Sequence, residues 1–258
     1  MTTNIKDLYH YRDLLFNLTM KELKLKYKNS VIGFLWSFLH PILLLIVYTF
    51  AFKIIIRMQI ENFAIFVFTA LLPWMFVSGA VTMSANSIIN NQNLVKKVYF
   101  PRIIIPLSIV LSNFITMLIN FVILFLGLFF FKIPFTTALF FLPLVLIPTL
   151  LLTIGLGLFF STVTVKFRDL SHLIEIFFMV WFYLTPIIYN AAMIPEPYHR
   201  YIMLNPLTLI VEMFRSIVLD GVVPSGDLFW GALLYSLCFL LLGYFIFNKR
   251  ESRLAEEL

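Results

Sequence analysis

Residues 103–131, IIIPLSIVLSNFITMLINFVILFLGLFFF, form an apolar stretch without a single acidic or basic side chain. A helix needs about 20 mostly apolar residues to cross a bilayer core of roughly 30 Å. The whole chain has the same character, with 61% hydrophobic and 12% charged residues among 258. A soluble domain is about 45–50% apolar and about 25% charged, and its core could not bury so much apolar surface. We therefore predict an integral membrane protein.

Six apolar stretches are long enough to cross a membrane as helices. They cover residues 31–56, 63–85, 103–131, 137–165, 170–189 and 228–247. The chain is predicted to be an all-α polytopic membrane protein with six transmembrane helices, in a transmembrane domain of residues 31–258.

The distribution of positive charge predicts the orientation. Of the 19 Lys and Arg residues, 14 lie before the first stretch, after the sixth, or in the segments that join the second to the third and the fourth to the fifth. Because positive charge favours the cytoplasmic side, both termini are predicted to be cytoplasmic. The net charge of +6 is thus explained without a nucleic-acid partner.

The segment of about residues 191–227 is too long for a turn and too apolar for an open loop. Asn205 and Pro206 separate two short apolar runs, neither of which can cross the membrane alone. We predict a re-entrant helical hairpin between spans five and six, with a helix lying on the surface as the alternative. Glu212 and Arg215, three residues apart, are predicted to form a structural ion pair on it.

The first 30 residues are predicted to form a cytoplasmic amphipathic interface helix. Tyr11, Leu14, Leu15 and Leu18 recur at helical spacing, and the end of the segment is rich in lysine. A basic amphipathic helix suits the inner leaflet of a membrane and its lipids. The alternative is a simple topology anchor.

A second cytoplasmic feature is the segment of about residues 87–102. Its polar start is suited to capping a short helix, and apolar residues follow at helical spacing. We predict that it docks on a soluble partner; packing on the protein's own surface is the equal alternative. The candidate contact residues are Leu94, Val95, Lys96, Lys97, Val98, Tyr99 and Phe100.

The chemistry of an enzyme is missing from the sequence. No Gly-x4-Gly-Lys-Ser/Thr phosphate loop is present, so no ATP site is predicted. The four histidines are scattered, and the single cysteine, Cys238, cannot form a Cys-based zinc site. We therefore predict no catalytic residue, metal or cofactor in this chain.

Several aromatic residues lie within the predicted spans. Most such residues form belts at the membrane interface, but Trp181 lies in the middle of the fifth span, with Thr185 and Tyr189 one and two turns further. Ring faces can stack on sugars, so this stripe is a candidate glycan path, together with Trp36 and Tyr48. Packing or lipid contact is the more common role of aromatic residues in spans.

Several motifs together resemble the membrane subunits of type-2 ABC exporters. The entry to the first span (YKNSVIGFLW, residues 27–36), the segment LVKKVYFPR (94–102), RDL (168–170), PIIY (186–189), IP (194–195) and NPL (205–207) occur in the order of that family. The similarity covers nearly the whole chain. It is closest to the polysaccharide branch, which exports O-antigen, capsule or teichoic-acid chains.

The resemblance implies a homodimer docked on two copies of a separate nucleotide-binding ATPase subunit, which holds ATP and Mg. The substrate would be a polysaccharide linked to polyprenyl pyrophosphate, with Lys26, Lys28 and Arg168 as candidate contacts to its anion. The first and fifth spans would line the path, in the bacterial cytoplasmic (inner) membrane. The alternatives are a drug or lipid exporter of the same superfamily and, less favoured, a membrane-embedded enzyme acting on lipid-linked sugars.

Overall fold

The computed structural model describes residues 9–28, 32–251 and 254, and these residues form helices and loops with no β-strand. Positions 1–8 and 29–30 of the predicted interface segment, and residue 31 at the predicted start of the first span, lie outside the described residues. The helices are α1 (Arg12–Tyr27), α2 (Trp36–Tyr48), α3 (Phe63–Ala85), α4 (Ser87–Asn90), α5 (Gln92–Lys97), α6 (Ile104–Phe130), α7 (Leu142–Lys166), α8 (Leu170–Leu184), α9 (Glu196–Met203), α10 (Pro206–Val218) and α11 (Gly226–Arg250).

Among the described residues, five helical segments are long and apolar enough to cross a membrane, which makes the chain a multi-pass membrane protein. They are Trp36–Ile55, in which α2 continues as a π-helix over Thr49–Ile55, then Phe63–Ala85, Ile104–Phe130, Thr137–Lys166 and Gly226–Arg250. Each lies within a few residues of a predicted span. The orientation of the termini stays a prediction.

The predicted fifth span is shorter in the structure. Its helix, α8, has 15 residues, which corresponds to about 22 Å, less than the bilayer core of about 30 Å. The prediction that it continues to residue 189 is wrong. Thr185 precedes Pro186 and is extended, at φ −103° and ψ 133°, because a proline ring disfavours the helical conformation of the preceding residue.

The core is arranged around α3. This helix is buried along most of its length, whereas α2 has only Ser37 and Pro41 buried. Apolar residues of α6, α7 and α10 pack around α3 to form one cluster, and a smaller cluster lies at the predicted cytoplasmic end.

Helices α7 and α11 pack at very close range through glycines. A Cβ atom on Gly243 would clash with the carbonyl oxygen of Gly155, and one on Gly155 would lie 2.5 Å from the backbone of Phe239 and Leu240. Small residues allow the backbones of membrane helices to approach. These two glycines therefore set the distance between the two spans.

The segment between α8 and α11 contains two short helices, as predicted. Helices α9 and α10 are bent by 97° relative to each other. Asn205 accepts a hydrogen bond from Leu207 N at 3.0 Å, and Pro206 starts α10, a position where its missing N–H is not needed. Helix α10 is embedded in the core, whereas α9 has no buried residue. A surface helix thus describes α9 but not α10.

Candidate functional site

The predicted coupling segment has an inward and an outward side. Val95 and Phe100 are 5% and 6% exposed and belong to the smaller core cluster. Lys96, Lys97 and Tyr99 are exposed, Tyr99 to 77%. Val98 is also exposed and Leu94 is half-buried. The structure therefore assigns Val95, Phe100 and the half-buried Leu94 to the protein's own packing, whereas Lys96, Lys97, Val98 and Tyr99 lie at the surface.

The C-terminal end of α11 is joined to this segment. The Glu251 carboxylate accepts a hydrogen bond from Arg102 N at 2.9 Å, and the Arg102 guanidinium donates to the Glu251 carbonyl oxygen. Leu254 is fully buried in the same cluster as Val95 and Phe100. Sequence reasoning missed Glu251, because a lone carboxylate 149 residues away from Arg102 gives no periodic signal.

Helix α1 packs on the rest of the protein. Tyr11, just before the helix, and Leu14, Leu15 and Leu18 within it contact the smaller core cluster. The Lys26 ammonium donates hydrogen bonds to Asn113 Oδ1 at 2.9 Å and Thr116 Oγ1 at 3.4 Å, both in α6. Burial lowers the pKa of Lys26 to about 8, against the opposing charge of Glu22.

The three candidate pyrophosphate contacts lie in different surroundings. Lys26 is bound to α6, as described above. Lys28 is exposed and lines a groove of about 880 Å³ between α1 and α6, with Lys21 and Lys24. Arg168 is exposed just before α8 and is not among the residues that line this groove. Of the three, Lys28 is placed where other lysines add to its positive charge.

The candidate path residues differ in exposure. Trp36 is exposed, and Tyr48 is half-buried with its ring stacked on Phe182 at 5.7 Å between centroids. Trp181 is half-buried within a cluster of aromatic rings, and Thr185 is completely buried. Tyr189 is half-buried, and its hydroxyl donates to Tyr183 O at 2.9 Å. Their role in a glycan path stays a prediction.

Two of these residues are bound by the re-entrant segment. Trp181 Nε1 donates to Asn205 Oδ1 at 3.0 Å, and Asn205 Nδ2 donates to Thr185 Oγ1 at 2.9 Å. The Thr185 hydroxyl in turn donates to Trp181 O at 2.9 Å. The end of α8 and the start of α10 are therefore held together by side-chain hydrogen bonds.

Arg215 makes a second connection between the same elements. It is 4% exposed, and its guanidinium donates to Ile187 O at 2.9 Å and Tyr189 O at 3.4 Å. It also forms the predicted ion pair with Glu212 at 3.1 Å, and it lies over the ring of Phe66 at 3.7 Å. Burial of a charge is tolerated when it is paired and hydrogen-bonded. We call the contacts of Asn205 and Arg215 to residues 181–189 the polar clamp.

The parts of this architecture correspond to a known family. A family model described as ABC-2 type transporter matches residues 13–219, from α1 through the coupling segment to the end of α10. The chain belongs to this family of ABC-2 type transporters.

Relatives of this ABC-2 transporter match it along nearly its whole length. The O-antigen export system permease protein RfbA of Klebsiella pneumoniae is 37% identical over 95% of this chain and 94% of its own. The protein of the same name from Myxococcus xanthus is 33% identical over 98% of both chains. The polysialic acid transport protein KpsM of Escherichia coli is 25% identical over 91% of this chain and 92% of its own.

Proposed function

We propose that this ABC-2 transporter is the transmembrane subunit of an ATP-driven exporter for O-antigen-type polysaccharide linked to polyprenyl pyrophosphate. The observation that carries the proposal is the near-full-length similarity to O-antigen export permeases at 37% and 33% identity, above the 25% to KpsM. The chain works in the bacterial inner membrane, with cytoplasmic termini, and moves the glycan outward.

The packing of the protomer supports export by a homodimer. Its interior is filled by apolar side chains, so a hydrated glycan needs a path along the outside of the protomer. Helices α2 and α8 leave large apolar side chains exposed, among them Ile46, Val47, Leu173 and Val180. A second copy that faces these helices encloses a path that one copy cannot.

The inner side of the protein supports coupling to a separate ATPase. Lys96, Lys97, Val98 and Tyr99 form an exposed basic and apolar surface on a short helix and the residues after it. Such a surface suits a groove on a soluble partner. We assign it to the ATPase, one copy for each protomer, and we assign ATP and Mg to that subunit.

The groove beside α1 supports recognition of the anionic head of the substrate. Of the eight described residues that line it, three are lysines and none is acidic, although Glu22 lies 3.7 Å from the Lys21 ammonium. Apolar residues of α1 and Ile119 of α6 complete its surface. Positive charge beside an apolar surface suits a lipid-linked pyrophosphate.

Export can be tested with the chain and its ATPase in proteoliposomes that contain lipid-linked O-antigen on the ATPase side. We expect ATP-dependent appearance of the glycan on the opposite side, read by a lectin that cannot cross the membrane. The chain without its ATPase, or with an ATPase that cannot hydrolyse ATP, is the control. Transport of a drug or a simple lipid in place of the glycan would contradict the substrate. ATP hydrolysis or sugar transfer by the chain alone would contradict its role as a subunit.

The orientation can be tested with single cysteines in a Cys238→Ser background. Lys97→Cys and Lys132→Cys should react with membrane-impermeant reagents from opposite sides, the first from the cytoplasm. Reaction of both from the same side would contradict the predicted topology.

A further inference from the structure

Asn205 uses its whole hydrogen-bonding capacity at the junction of α8 and α10. Its Oδ1 atom accepts from Trp181 Nε1 and Leu207 N, both at 3.0 Å. Its Nδ2 atom donates to Thr185 Oγ1 at 2.9 Å and to Leu184 O at 3.4 Å. A carboxamide can donate two hydrogen bonds and accept two. One side chain thus caps α10 and also binds the last turn of α8.

The backbone after α8 needs such partners. The helix ends before Pro186, so the carbonyl groups that follow have no helical partners. In a membrane protein, backbone outside helices must be satisfied by the protein itself or by water in a cavity. Arg215 supplies donors to Ile187 O and Tyr189 O. The polar clamp therefore holds both the helix end and the irregular segment after it.

The two sides of the clamp differ in how firmly they are packed. Helix α10 is embedded in the core, with Leu207, Ile210 and Phe214 fully buried. Only Ile174, Phe178 and Phe182 of α8 are buried. These three residues form one stripe along the helix, and its other faces are exposed at both ends, Leu173 to 58% and Leu184 to 55%. Side-chain hydrogen bonds to α10 hold the C-terminal end of α8, whereas Ser171 near the N-terminal end donates to Arg168 O of its own turn.

We propose that Asn205 and Thr185 are positioning residues that make the end of α8 a fixed pivot for transport. The N-terminal end of α8, next to Arg168, swings when the ATPase acts, while its C-terminal end stays attached to α10. The outer end of the glycan path therefore keeps its position while the inner end opens. The inference rests on the proposed function, because it assigns the moving part of that exporter.

The variants follow from the geometry. Thr185→Val removes the hydroxyl at constant shape, and Thr185→Ser retains it. Asn205→Asp keeps the acceptor for Trp181 and Leu207, and Asp is a good N-cap, but it removes both donors. Asn190→Ala is the matched control, since Asn190 caps only its own turn by accepting from Ala192 N at 3.0 Å.

The experiment measures distances between the two protomers by electron spin resonance, in the reconstituted transporter with its ATPase. A Cys238→Ser background carries one spin label at position 173 or at position 184. In the wild type we expect ATP to change the distance at position 173 and not at position 184. In Thr185→Val and Asn205→Asp we expect the distribution of distances at position 184 to broaden and to change with ATP. The amount of glycan exported per ATP should fall about tenfold, as for the loss of one buried hydrogen bond. Thr185→Ser and Asn190→Ala should behave like the wild type.

Two results would overturn the pivot. One is a wild type that exports glycan while position 184 moves as much as position 173, or while position 173 does not move. The other is an unchanged ratio of export to hydrolysis in both Thr185→Val and Asn205→Asp. A wild-type complex that hydrolyses ATP without exporting glycan would instead contradict the proposed function, and the distances would still judge the pivot.

Discussion

Replacement of Lys26 by methionine gives a quantitative test of how α1 is attached to the bundle. Lys26 extends from α1 to Asn113 and Thr116 in α6, at 2.9 Å and 3.4 Å. Burial lowers its pKa from 10.5 to about 8, and Glu22 opposes this effect only in part. Lys26→Met has similar length and volume but carries no titrating group.

The sign of the pH effect follows from the direction of the shift. Below about pH 8 the lysine is charged in both the folded and the unfolded chain, and its burial costs up to about 3 kcal/mol. Between about pH 8 and 10.5 the folded protein loses a proton that the unfolded chain keeps, so stability rises with pH. From about pH 7 to about pH 9.5 the wild type should gain up to about 2 kcal/mol relative to Lys26→Met.

The assay is thermal unfolding of both proteins in the same detergent across this pH range. A gain of about 2 kcal/mol corresponds to roughly 4–8 °C in the difference between their midpoints. Lys28→Met is the matched control, because Lys28 is exposed at the end of the same helix, and it should follow the wild type. Parallel pH profiles of the wild type and Lys26→Met would refute the buried position of Lys26.

Four further substitutions test other contacts. Tyr99→Asp should release the ATPase in copurification without lowering the unfolding midpoint. Val95→Asp should instead destabilise the chain by several kcal/mol, because it buries an unpaired charge. Equal effects of the two substitutions would contradict the assignment of Val95 to the core and of Tyr99 to the surface of the coupling segment. Glu251→Gln should lower stability by about 1 kcal/mol, measured by thermal unfolding, because the amide still accepts from Arg102 N but only as a neutral acceptor, which binds more weakly than a carboxylate. An unchanged midpoint would speak against this contact. Gly243→Leu should prevent close packing on Gly155 and abolish the monodisperse peak in size-exclusion chromatography, while a normal elution profile would contradict the close approach.

The spans were predictable because length and hydropathy decide them. Residues 63–85 were predicted to form a span, and α3 has the same bounds, Phe63–Ala85. The predicted end of the fifth span was wrong, because apolar composition continues through Ile187 and Ile188 whereas Pro186 ends the helix. Hydropathy averages over a window and does not register the conformational effect of one proline.

The polar contacts were predictable only where they are local in sequence. The Glu212–Arg215 pair follows from helical spacing and is present. The contacts of Lys26 with Asn113 and of Glu251 with Arg102 span 87 and 149 residues, and no periodicity links such positions. The sequence placed Trp181 and Thr185 on one stripe, but it could not show that Asn205 binds both of them.

The membrane environment explains why polar side chains lie where the helices end. A chain this apolar can leave the helical conformation at membrane depth only where side chains replace the missing backbone hydrogen bonds. The breaks at Pro186 and Pro206 are readable in the sequence, and the structure places Arg215 and Asn205 beside them. A proline that ends a helix at membrane depth therefore predicts a polar side chain from elsewhere in the chain beside it. In this protein that requirement joins the C-terminal end of α8 to α10, whereas among the described residues no side-chain hydrogen bond to another helix holds the opposite end.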